Sequence, residues 1–158
     1  MEPSYDVYIS NSALEKAERI MADAAKGGRE ALGLLVGDVC KWKGSEYVMV
    51  DSFITASNNS TAVSVKFNRI AFSELSKAFV SHFRDRKLIV GWIHSHPSYG
   101  CWLSATDVNT QQKFFSEPFN IAMVVDPLKK EGKRMQERVF RVDRNAYYEV
   151  SFAVVEKK

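Results

Sequence analysis

Two of the three histidines of the 158-residue chain stand one residue apart in the stretch HSHPSYGCWLSATD, His94 to Asp107. The preceding KLIVGWI is an apolar, β-branched and aromatic run of strand length, and it ends at Pro97, which lacks a backbone donor. Residues i and i+2 of a strand share a face, so His94 and His96 present two imidazoles to one point while Ser95 points away. After a glycine-containing loop, SATDVNTQQKFF opens with a serine followed three places on by an acid. That spacing makes Ser104 an N-cap and puts Asp107 in the first turn of a helix, where its carboxylate can fold back toward the histidines. Local chemistry leaves two readings open: a metal clamp, or a strand end followed by an ordinary capped helix. His82, in FVSHFRDRK, is read as an ordinary hydrogen-bonded side chain.

The pattern H-x-H, seven residues, S-x-x-D resembles that of the JAMM (MPN-plus) metalloproteases, with His94, His96, Ser104 and Asp107 at the pattern positions. The longer segment GWIHSHPSYGCWLSATDVNTQQ is similar to that of the proteasome-lid deubiquitinase and signalosome deneddylase subunits, and MVVDP at 123–127 and STAVSV at 60–65 also resemble the proteasomal branch. EALGLLVG supplies the E-x-x-G-x-x-x-G setting of the family's upstream acid, at Glu30. By position alone, Arg29 and Glu30 at the border of an apolar strand would be called a solvated strand entrance.

The resemblance implies a single MPN domain over residues 1–158, an α/β fold with a mixed, mostly antiparallel sheet flanked by helices. It implies a Zn2+ centre held by His94, His96 and Asp107, with Glu30 as general acid and base and Ser104 as a donor to the oxyanion. Two imidazoles and one carboxylate leave a fourth tetrahedral position for water, which is the ligand count of a catalytic zinc site. Cys101, inside the same loop, is discounted as a fourth ligand because a thiolate there would close that position. The implied activity is cleavage of ubiquitin or a ubiquitin-like modifier from a conjugate, with such conjugates as substrates and the proteasome as a candidate partner. The sequence stops after YYEVSFAVVEKK, without the long helical tail of the lid and signalosome subunits, so an archaeal-type homologue or an excised catalytic domain is expected. Two other classes fit part of the pattern. A non-catalytic MPN scaffold would be expected to have lost ligands, and a non-haem iron enzyme also uses two histidines and a carboxylate.

The elements that must hold these residues can be read from periodicity. YDVYIS, ALGLLVGDV, YVMVDSFIT, KLIVGWI, NIAMVVD, RVFRV and YYEVSFAVVE read as strands, the second and third as antiparallel neighbours across a short connection. NSALEKAERIMADAAKGG and NRIAFSELSKAFVSHFRDRK read as helices that pack one face on the sheet. Residues 56–66 and 127–137 read as polar binding loops that, in the resembling family, border the substrate tail. A net charge of +3 with scattered basic residues and no aromatic-interleaved basic stripe argues against nucleic acid as a partner. The apolar runs are too short to span a bilayer, and MEPSYDVYIS is no signal peptide, so no membrane partner and a cytoplasmic location are expected. Two cysteines are too few for a disulfide framework and suit a reducing compartment.

Overall fold

A computed structural model describes residues 3–55, 69–82 and 87–156. The STAVSV segment, the 56–66 interval and most of FRDRK lie outside the described residues, as does the side chain of His82. The elements run β1 (Val7–Ser10), α1 (Asn11–Lys26), β2 (Leu32–Trp42), β3 (Ser45–Ile54), α2 (Arg69–His82), β4 (Leu88–Ser95), α3 (Ala105–Phe114), β5 (Ile121–Glu131), β6 (Arg134–Asp143), β7 (Ala146–Val150) and β8 (Phe152–Val155). Among the described residues the fold is one α/β layer set in which three helices flank an eight-stranded sheet of order β7-β6-β5-β4-β2-β3-β1-β8. Four neighbouring pairs are antiparallel and three, β1 with β3, β1 with β8 and β4 with β5, are parallel.

Alternation along the central strands splits the core in two. Leu32, Leu34 and Val36 of β2 and Trp92 of β4 face one cluster, with Leu75 of α2 and Phe115 just beyond α3. Leu35, Val90 and Ile93 face the other, where α1 lays Leu14, Ala17 and Met21 on the sheet. The glycines of the EALGLLVG run are steric requirements of this sheet. A Cβ on Gly33 would lie 2.2 Å from the Phe53 ring, and one on Gly37 would lie 1.8 Å from the Met49 carbonyl oxygen. At the end of α1, Gly28 adopts φ 66°, a left-handed turn that swings the chain from the helix toward β2 and carries Glu30 to the head of that strand.

Two expectations need correction. Residues 127–137 do not form a loop, because β5 runs on to Glu131, β6 begins at Arg134, and a two-residue turn with Gly132 at φ 63° joins them. The polarity that suggests a loop belongs to a hairpin arm with exposed strand residues. Its one irregularity is a bulge between Asp126 and Lys130, where Pro127 needs no ladder donor. The run YYEVSFAVVE is also two strands: β7 and β8 part at Ser151 and lie at opposite ends of the sheet order.

Candidate metal centre

β4 delivers the two histidines. His94 pairs with Leu32 and Val124 in the ladders on either side, and His96, one residue past the end of β4, donates its backbone N–H to the Val125 carbonyl of β5 at 2.9 Å. His94 and His96 are 5% and 6% exposed, buried well beyond the norm for histidine. Trp92 stacks on His94 with ring centroids 4.3 Å apart and planes 9° apart, and its indole N–H donates to Gln111 of α3 at 2.6 Å. That bond sets α3 against β4.

Asp107 comes from the first turn of α3. Ser104 Oγ accepts the Asp107 amide at 3.1 Å while Asp107 Oδ2 accepts the Ser104 amide at 3.0 Å, the reciprocal capping box that the S-x-x-D spacing predicts. The cap fixes the carboxylate so that the same Oδ2 lies 3.1 Å from His94 Nε2 and 3.5 Å from His96 Nε2, with the two Nε2 atoms 3.1 Å apart. Burial raises the Asp107 pKa, yet the two imidazoles and the Ser104 amide outweigh it and hold the carboxyl well below its ordinary range. The capping reading and the clamp reading are therefore compatible: one carboxylate is placed for both.

The donor set suits a metal ion. His96 Nδ1 lies 3.2 Å from the Gly100 carbonyl, which assigns the proton to Nδ1 and leaves the Nε2 lone pair of the neutral ring facing the cluster. One ring nitrogen each of His94 and His96 and a carboxylate oxygen of Asp107 thus lie within 4.8 Å of one another, and a cation could take the place of the hydrogen bonds among them. Cys101 is turned elsewhere, its thiol donating to the Gln136 carbonyl at 3.3 Å, and burial pushes its pKa up to about 11.

Glu30 sits just before the segment that runs beside this centre. Ala31 donates its N–H to Ser95 Oγ at 2.9 Å and accepts the Ser95 N–H at 3.0 Å, which pins the residue after Glu30 to the residue between the two histidines. The half-buried Glu30 carboxyl is raised above its ordinary value by burial and by Asp107, and His96 and His94 oppose the rise. Sequence reasoning assigns Ser95 only to the opposite face of the strand, and MVVDP only to a resemblance. The structure gives both a task. Asp126 accepts the backbone N–H groups of Ser98, Gly100 and Leu128 at 2.9, 2.7 and 3.0 Å. An acid closing the apolar run IAMVV, just before a proline, was the available signal.

A mixed sheet whose HxH strand end meets a capped-helix aspartate brings together three side chains that could hold a metal ion. The sequence matches the family described as JAB1/Mov34/MPN/PAD-1 ubiquitin protease over residues 2–117, and the chain belongs to that family. Among its relatives, COP9 signalosome complex subunit 5 of Candida albicans is 36% identical over 135 residues, covering 80% of this chain and 21% of that protein. The 26S proteasome non-ATPase regulatory subunit 14 of Dictyostelium discoideum is 35% identical over 126 residues, covering 77% of this chain and 39% of the relative. The chain thus spans well under half the length of these curated relatives. The solution structure of a Desulfitobacterium hafniense protein shares the fold, with a TM-score of 0.69 at 18% identity over 96% of this chain and 94% of that one.

Proposed function

We propose that this chain is a zinc-dependent isopeptidase that hydrolyses the bond between the C-terminal glycine of ubiquitin or a ubiquitin-like modifier and a target lysine. The observation that carries the reading is the convergence of three ligand atoms, from His94, His96 and Asp107, next to the strand head that bears Glu30. His94, His96 and Asp107 would hold the metal. Zinc, when bound, supplies a Lewis acid that acidifies water and polarises a carbonyl. Glu30 takes a proton from the attacking water and delivers it to the lysine amine as the carbon–nitrogen bond breaks. Its raised pKa suits a group that must both accept and return a proton. Ser104 spends an oxygen lone pair on the Asp107 amide, so its O–H proton is free to stabilise the carbonyl oxygen as charge develops there.

The reading takes residues 1–158 as one catalytic domain. It goes beyond the matched 2–117 because β5 to β8 continue the same sheet. Ubiquitin-like conjugates as substrates are supported by the description of the matching family as a ubiquitin protease, and the proteasome as a partner by the name of the Dictyostelium discoideum relative. A cytoplasmic location is part of the same reading and is supported by two free thiols, Cys40 and Cys101. Among the described residues no helix is long and apolar enough to cross a membrane.

The test is cleavage of an isopeptide-linked ubiquitin-like conjugate by protein as purified, after exhaustive chelation, and after zinc is restored. Activity should vanish and return, and elemental analysis should find zinc rather than iron. Undiminished cleavage by fully metal-free protein would overturn the mechanism.

A further inference from the structure

We propose that Asp126 is a positioning residue for the metal centre, acting through the Gly100 carbonyl to aim the His96 ring; this rests on the metal reading given above. Asp126 is 0% exposed, and a carboxylate so buried is costly unless its oxygens are satisfied. Three backbone amides satisfy it. Oδ1 accepts from Ser98 and Leu128, and Oδ2 accepts from Gly100 at 2.7 Å, the shortest of the three. The loop it holds carries a backbone cost at Ser98, whose φ of 69° is left-handed, whereas Gly100 at φ 79° takes that region freely. The bulge after Asp126 explains the geometry: it takes Leu128 out of ladder register, so its amide turns back to the same carboxylate.

The consequence is a relay of fixed contacts. Asp126 grips the Gly100 N–H, and the carbonyl of the same Gly100 lies 3.2 Å from His96 Nδ1. A ring whose Nδ1–H is held by an acceptor presents Nε2 to the cluster in one tautomer and one orientation. The Asp126 carboxylate is bonded to three backbone amides and acts on His96 through one of them, so it is a positioning residue.

Asp126→Asn tests this at constant shape. The amide has one acceptor oxygen, so in either orientation its NH2 group faces at least one of the three N–H donors. Zinc affinity, measured by competition with a chelator, should fall by roughly 10–100-fold, the range for loss of an outer-shell partner. In metal-free protein, the His96 Nδ1 proton should be a protected nitrogen-coupled NMR resonance in the wild type and be lost to solvent exchange in the variant. Gly100→Ala perturbs the relay from its other end. Its Cβ would meet nothing closer than 3.6 Å, so the burden falls on the left-handed φ, and the same two readouts should move. Val139→Ala, a core truncation on β6, should lower the melting temperature without moving either. The inference is overturned if both relay variants keep wild-type zinc affinity, if the His96 proton stays protected in them, or if Val139→Ala weakens zinc equally. A wild-type chain that binds no zinc would sink the metal reading instead, and the metal-free resonance would still decide whether Asp126 aims His96.

Discussion

At Ser104 a single hydroxyl sits where a helix begins and where, on the proposed mechanism, charge develops. The two roles separate by experiment. As a cap alone, Ser104→Ala should cost ~1 kcal/mol of stability and leave turnover intact. As a donor to the developing oxyanion it should also lower kcat by ~10²–10³ while zinc content is retained. We expect the second outcome, read from kcat at saturating conjugate together with metal content and a melting curve; unimpaired kcat would leave Ser104 a cap. Glu30→Gln keeps the shape and removes the base. Zinc should stay bound while kcat falls by ~10²–10⁴. Loss of zinc from this variant would recast Glu30 as a structural support for the centre.

The contact of α1 with β6 carries a pH dependence of its own. Glu137 of β6 is 4% exposed, and burial, reinforced by Glu18 of α1, pushes its carboxyl up to about 7 against the pull of Arg134. Both Glu137 oxygens lack a hydrogen-bond donor, and the Arg134 guanidinium stands 3.7 Å away. A carboxyl raised in the folded state favours folding in its protonated form, so its contribution is present below the ordinary value of 4.5 and is lost as pH rises through about 7. The loss is on the order of 3 kcal/mol at most, from the conversion of pKa difference to free energy. The Tm of Glu137→Gln should therefore fall less steeply than that of the wild type between pH 5 and 8. Parallel curves would show that Glu137 ionises normally. The β5–β6 hairpin makes a related point: residues 127–137 look like a loop by composition, but strands that project into solvent are polar on both faces, and Gly132 closes the turn.

The whole sheet is shaped by one residue. Eight strands ~4.8 Å apart would, if flat, separate the outer pair by tens of ångströms, whereas a single residue spans ~3.5 Å. Ser151 alone links β7 at one end of the order to β8 at the other, so the sheet curls until its ends meet. Asp6 fastens the seam: its N–H donates to Ser151 Oγ, and its Oδ2 accepts both the N–H and the O–H of Ser151 at 3.2 and 3.0 Å. These bonds are exposed, so Asp6→Ala should cost only ~0.5–1.5 kcal/mol. It should lower Tm without altering zinc affinity, because the centre sits on β4 near the middle of the order. Weakened zinc binding would show that the closure of the sheet reaches the site.

The ligand cluster is the part most legible in the sequence, because each of its pieces is local. Two-residue strand periodicity puts His94 and His96 on one face, and a capping box four residues long orients Asp107. Neither requires knowledge of a distant segment. The position of Glu30 is different in kind, since its acid is one of 19 Asp and Glu residues and the pairing of β2 with β4, extended by the Ala31–Ser95 contact 64 positions apart in the chain, brings it beside the histidines. Asp126 is in the same position, 26 residues from the Gly100 amide it holds. The split of YYEVSFAVVE at Ser151 also escapes a strand-by-strand reading, because alternation continues across a point where the partner strand changes. Periodicity and caps are written in neighbouring residues and can be read there, whereas which strand lies beside which, and which buried carboxylate meets which amide, is set by ladder register and sheet closure across the whole fold.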